Sequence, residues 1–154
     1  MNVINEGLRY QSPGGITPIV FEKDTNLAGK ITMKKGDCVR LVHWALHKNP
    51  DEWQRPEEFL PDRWDPESPL YLTPKGKKRN TLSFMPWNAG KRVCFGKVFA
   101  ENNLKIILTY FTQWFNFEFA EKNPYPGNTF PVCCMNQSRT PPIMVRITHR
   151  KQQN

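Results

Sequence analysis

The 154 residues include 22 basic and 14 acidic side chains, for a net charge of +8. That length allows one ordinary domain. No window of about 18 apolar residues is present to span a membrane, no signal peptide is visible, and four cysteines without framework spacing fit a reducing compartment.

The chain opens on Val3, Ile4 and Leu8, an apolar spacing that predicts a helix ending before Pro13-Gly14-Gly15. Glu6 and Arg9 are three apart, so they face each other on that helix and can pair. On a surface such a pair contributes little. Between Ile16 and Cys38 the turn signals Ala28-Gly29 and Lys35-Gly36-Asp37 separate hairpin strands, with Ile31 and Met33 alternating with polar neighbours. A strand continues from Cys38 to His43. A proline-punctuated meander follows, from Pro50 to Pro86. Fourteen prolines are about twice the usual share of ~5%, so this stretch takes its order from turns and packing.

The basic run Lys75-Gly76-Lys77-Lys78-Arg79 reads as a solvated loop. Neither interleaved aromatics nor a binding motif accompanies the positive charge, which argues against a nucleic-acid partner. Cys38, His43, His47, Cys133 and Cys134 lack zinc-ligand spacing, and the adjacent cysteine pair cannot easily bridge itself. No internal repeat is evident.

The densest signal is Phe84-Met85-Pro86-Trp87-Asn88-Ala89-Gly90-Lys91-Arg92-Val93-Cys94-Phe95-Gly96-Lys97. Cys94 lies between a cationic loop and a helix start, and both stabilise an anionic sulfur. A thiolate is a soft, electron-rich metal ligand. Gly90 and Gly96 let the backbone turn tightly and approach a flat ligand without a Cβ in the way. Arg92 is a permanently charged fork suited to carboxylates, and Trp87 offers an aromatic face near the sulfur. A buried, inert cysteine is the bland alternative; several residue types matched at fixed spacing outweigh it. Beyond it, Leu104, Ile107, Leu108, Phe111 and Phe115 predict an amphipathic helix from about Lys97 to Phe115, its stripe facing core. Past Pro124, Ile143, Val145 and Ile147 alternate as a terminal strand.

The aromatic-x-x-Gly-x-Arg-x-Cys-x-Gly spacing from Trp87 to Gly96 resembles the haem-binding loop of the cytochrome P-450 monooxygenases. Glu6-Gly7-Leu8-Arg9 resembles the family's Glu-x-x-Arg, and Phe59-Leu60-Pro61-Asp62-Arg63-Trp64 its Phe-x-Pro-x-Arg-aromatic segment. The stretch from Ala45 to Trp53 also looks like the segment just upstream. The resemblance implies an α+β chain, residues 1–154 forming the C-terminal part of one mainly helical P-450 domain with small sheets, a meander, the cysteine loop and the helix behind the haem. It implies Cys94 as axial ligand of haem b (iron protoporphyrin IX), Arg92 as a propionate partner, and Trp87, Gly90 and Gly96 as cofactor-binding positions. Glu6, Arg9 and Arg63 would form a buried structural triad.

Family membership further implies insertion of one oxygen atom from O2 into a small lipophilic substrate. Thiolate ligation on haem favours O–O cleavage. Electrons derived from NADPH would arrive through a P-450 reductase or similar donor, steered by Lys91, Lys97 and Lys105. A full-length form would sit on the cytosolic face of the endoplasmic reticulum membrane; this chain carries no anchor. No catalytic group beyond the haem ligand is visible, since the distal helix and most of the helical bundle are missing. The loop from Pro13 to Val20 and the turn from Asn136 to Pro141 would border a substrate pocket. Three positions depart from the family: Trp87 replaces Phe, Asn103 replaces Glu, and Ile19 replaces a propionate-binding Arg. Two rivals stand beside the enzyme reading: a non-catalytic truncated haem-binding module, and a basic interaction domain without cofactor.

Overall fold

The computed structural model describes residues 1–120 and 144–150. Helix α1 spans Asn2–Tyr10 and is followed by strands β1 (Ile16–Val20), β2 (Thr25–Leu27), β3 (Ile31–Met33) and β4 (Cys38–Val42). The short helix α2 covers His43–His47, helix α3 Lys97–Trp114, and strands β5 and β6 span Phe115–Phe119 and Val145–His149. Between α2 and α3 the meander holds only single 3-10 turns, at Pro61–Trp64, Pro69–Tyr71, Thr81–Ser83 and Gly90–Arg92. The chain is a mixed α+β structure, as its sequence implies.

Among the described residues the strands form three antiparallel pairs. β1 lies against β4, with Ile16 opposite Val42 and Val20 opposite Cys38. Nested between them, β2 and β3 close a tight hairpin. Its central residues Ala28 and Gly29 have φ of 53° and 71°, and the Lys30 N–H donates to the Leu27 carbonyl at 3.0 Å. Two left-handed residues match the twist of the flanking strands. β4 is one residue shorter than expected. His43 already opens α2, which is too short to announce itself through helical periodicity.

The core is small and aromatic. Trp53 is fully buried and packs at 5.5 Å from Trp64, which lies 4.5 Å from Phe84. Ile4 and Leu8, four apart on α1, bury with Met85. This cluster turns the proline-rich meander into ordered structure.

Two expectations fail here. α3 forms where predicted, but none of its residues is buried. Ile107, Leu108 and Phe111 of the predicted stripe are exposed, and so are Val98, Phe99, Ile106 and Tyr110 on its other sides. Apolar side chains extend well beyond the predicted stripe, leaving Glu101, Lys105, Thr109 and Thr112 as a polar side. Phe115 does not end that helix; it starts β5, which pairs with β6 through Phe117 opposite Ile147. Residue 143 of the predicted terminal strand, Cys133, Cys134 and the turn from Asn136 to Pro141 lie outside the described residues.

Candidate cofactor-binding loop and its support

Glu6 organises the region beneath the cysteine loop. Both its oxygens are saturated. Oε1 accepts from Arg9 Nη2 at 2.8 Å, the Leu60 N–H at 2.8 Å and Arg63 Nε at 3.1 Å. Oε2 accepts from Arg9 Nε and the Trp64 indole, each at 3.0 Å. Glu6, Arg9 and Arg63 are all 0% exposed. Burial alone would raise the carboxyl's pKa; the hydrogen bonds from Arg9, Leu60 and Trp64 and the Arg9 charge overcome it and hold the group below its usual range.

The two arginines spend their other N–H groups on backbone carbonyls that no strand or helix satisfies. Arg9 donates to His47 and Pro56 at 3.0 and 2.8 Å and to Glu58 at 2.8 Å. Arg63 donates to Gln54, Arg55 and Glu58. The planar guanidinium fork thus does the work of a missing sheet for residues 54–58.

Arg79 corrects the reading of the basic run as solvated throughout. Lys75, Lys77 and Lys78 are exposed, but Arg79 is half-buried over the Trp53, Tyr71 and Trp64 rings, 4.6, 5.4 and 5.6 Å from their centroids. It also donates to the Arg63 and Leu70 carbonyls at 2.6 and 2.9 Å. Sequence charge alone gave no hint of this; the clustered aromatics were the available signal, since a cation is attracted to their faces.

Above this support the cysteine loop leaves the core at Met85. The Asn88 N–H donates back to the Met85 carbonyl at 3.2 Å, and Asn88 and Gly90 take φ of 64° and 68°. Gly90 meets this left-handed requirement at no steric cost. The Cys94 N–H donates to the Trp87 carbonyl at 2.8 Å, and the Lys97 N–H to the Cys94 carbonyl at 3.3 Å, so the cysteine sits just before the first turn of α3. Trp87 is half-buried, while Arg92 and Cys94 are exposed. A Cβ at Gly96 would lie 3.8 Å from Cys94 Sγ, with no clash. Phe95 is 104% exposed, and Val93, Val98 and Phe99 are exposed beside it. The loop therefore presents an accessible sulfur, a cationic fork and an apolar surround. That donor set fits a flat, apolar, carboxylate-bearing macrocycle with a metal at its centre.

Lys91, Lys97 and Lys105 are each exposed. Ile19 is exposed on β1 opposite Val39, and Asn103 is half-buried on α3.

Solved structures containing this arrangement are heme domains. The cytochrome P450DA heme domain superposes with a TM-score of 0.75 over 97% of this chain and 31% of its own, at 26% identity. A triple mutant of that domain gives 0.65 over 79% of this chain. The cytochrome P450 family model matches residues 1–144. Rat cytochrome P450 3A1 is 34% identical over 97% of this chain, and sheep steroid 17-alpha-hydroxylase/17,20 lyase is 35% identical over 64% of it. The chain belongs to the cytochrome P450 family, a family of haem monooxygenases. It spans 28% of the length of the rat protein and 18% of the sheep protein. Among the described residues no helix is long and apolar enough to cross a membrane.

Proposed function

We propose that this chain is the haem-thiolate portion of a single P-450 domain, with Cys94 as the axial ligand of haem b iron. The observation that carries the reading is the exposed Cys94 on a loop of the family's spacing, held by the Trp87 carbonyl at the entrance to α3. Arg92 is the propionate partner. Trp87 shields the sulfur, and Gly90 and Gly96 keep side-chain bulk off the cofactor face. Bound haem would supply O2 activation and insertion of one oxygen atom into a lipophilic organic substrate. The chain's own residues supply an anionic sulfur, a cation for a carboxylate, and a rigid base in the Glu6–Arg9–Arg63 network. Lys91, Lys97 and Lys105 form a basic face for an acidic donor such as a P-450 reductase passing NADPH-derived electrons. By its family the complete protein belongs on the cytosolic face of the endoplasmic reticulum.

A second reading, haem binding without turnover, is favoured by the exposure of the Cys94 surround and of all of α3. The haem-thiolate assignment that both readings share is tested by the carbon monoxide difference spectrum of the reduced, haem-reconstituted chain, and a turnover assay with O2 and an electron donor separates the two. The thiolate signature should appear in the unmodified chain and in Cys38→Ser, and vanish in Cys94→Ser, because a neutral hydroxyl does not replace the soft anionic donor. An unchanged spectrum in Cys94→Ser would overturn the assignment.

A further inference from the structure

His43 and His47 are four apart on α2 and both fully buried, their rings 6.2 Å apart. Neither belongs to the haem-loop spacing or to the Glu6 network. Both close on the backbone of one residue, Met85, one on its N–H and the other on its C=O. His43 Nδ1 donates to the Met85 carbonyl at 2.7 Å, and the Met85 N–H donates to His47 Nε2 at 3.0 Å. A carbonyl only accepts and an N–H only donates, so the tautomers follow: His43 carries a proton on Nδ1, and His47 Nε2 is bare. His47 Nδ1 faces the Leu8 and Arg9 carbonyls without an aligned hydrogen bond.

Met85 is where the cysteine loop departs. Its carbonyl also receives the Asn88 N–H, and the next carbonyl but one, on Trp87, receives the Cys94 N–H. On the other side, Thr17 Oγ1 lies 3.1 Å from His43 Nε2 and 3.2 Å from Asn88 Oδ1, and its one hydroxyl proton serves one of these two acceptors. The imidazoles thus tie β1, α2 and the base of the loop into one hydrogen-bonded unit.

We propose that His43 and His47 are positioning residues for the cysteine loop, holding the backbone C=O and N–H of Met85 and so fixing where Cys94 stands relative to the core. The proposal rests on the haem-thiolate reading for its spectroscopic consequence, while the grip itself concerns the protein alone. An interior peptide group that loses its partner costs enough to release the segment. The side chains that reproduce one hydrogen bond each are specific. Gln at 47 offers an oxygen near the place of Nε2, and Asn at 43 a donor near the place of Nδ1.

The test uses the full 154-residue chain in two arms. In the first, amide hydrogen exchange is followed without haem. His47→Leu should expose the Met85 N–H by about tenfold relative to α1 amides, and His47→Gln should restore most of its protection. In the second, haem-reconstituted chains are compared by carbon monoxide difference spectra. His43→Leu and His47→Leu should lose thiolate signature relative to total haem, with recovery in His43→Asn and His47→Gln. Unchanged Met85 protection and unchanged thiolate fraction in both leucine variants would overturn the proposal. A chain whose Cys94→Ser variant keeps the thiolate signature would sink the haem-thiolate reading instead, leaving the exchange arm to decide the grip. If a leucine variant unfolds throughout, the unmodified chain decides: Met85 exchange as fast as the exposed loop amides rejects the grip, and protection equal to that of α1 supports it.

Discussion

Among the described residues, Glu6, Arg9 and Arg63 are the charged side chains that are fully buried, and they are buried against one another. Arg63 gives Glu6 one hydrogen bond and three backbone carbonyls their donors. Arg63→Ala removes all of these and leaves a buried carboxylate with less compensation, a loss of about 3–5 kcal/mol. Thermal or denaturant unfolding should show that loss; a variant with the parent's midpoint would contradict the structural role. The His47 ring, outside that network, adds a pH dependence of its own. Burial first, then the charges of His43 and Arg9, lower its pKa to about 4 from 6.5. Between those values the unfolded chain binds the extra proton and the folded chain does not. Stability therefore falls as pH drops from 6.5 towards 4, by about 3 kcal/mol. Glu6 acts in the same direction lower down: its folded pKa lies below 4.5, so its contribution is present above that value and lost as pH falls through the folded one. Denaturant midpoints across this range should decline for the parent chain and flatten between 6.5 and 4 in His47→Gln. Parallel curves would show that His47 is not the titrating group.

At the scale of elements, what the sequence displayed was what repeats or what is punctuated. α1, the β2–β3 hairpin and α3 were legible because apolar spacing or a glycine turn announces them locally. Glu6, Arg9 and Arg63 were legible through a family spacing, although nothing local says that residues 57 apart meet. β5 was hidden because Phe115-Asn116-Phe117-Glu118-Phe119 continues the apolar run of α3, and its partner β6 lies more than twenty-five residues away. The grip of His43 and His47 on Met85 was hidden because it is made to a backbone, which leaves no composition signal. α3 itself was read as one-sided because five residues fit a stripe; Ile106 and Tyr110, off that stripe, are equally apolar. Substitutions should separate the two kinds of apolar site. Ile106→Ser on α3 loses no buried contact, and the two residues have nearly equal helix propensity, so it should leave stability nearly unchanged. Leu8→Ala on α1 empties core and should cost about 2–5 kcal/mol. Equal losses in unfolding experiments would mean that α3 is covered in solution.

For the whole molecule, the balance between exposed and buried apolar surface sets behaviour. Among the described residues four hydrophobic side chains are buried, whereas Phe95, Phe99, Val98, Ile106, Phe117 and Phe119 stand in solvent. Apolar area of that extent promotes association. The 154-residue chain alone should elute as aggregates or oligomers, retain haem weakly, and convert no substrate with O2 even when supplied with a competent electron donor. Purification of a soluble monomer that turns over would refute this.

The Glu6 network also imposes an order of events during synthesis. The ribosome delivers Glu6 and Arg9 together, but Arg63 is 57 residues downstream of Glu6 and the Trp64 indole 58. At ~5–20 residues per second that interval is roughly 3–11 seconds, which is long on the scale of helix formation. During it the first helix can hold its own ion pair but has no meander to fold upon. Cys94 is translated only after the last donor to Glu6, so the nascent chain can assemble the platform before the thiol that stands on it emerges.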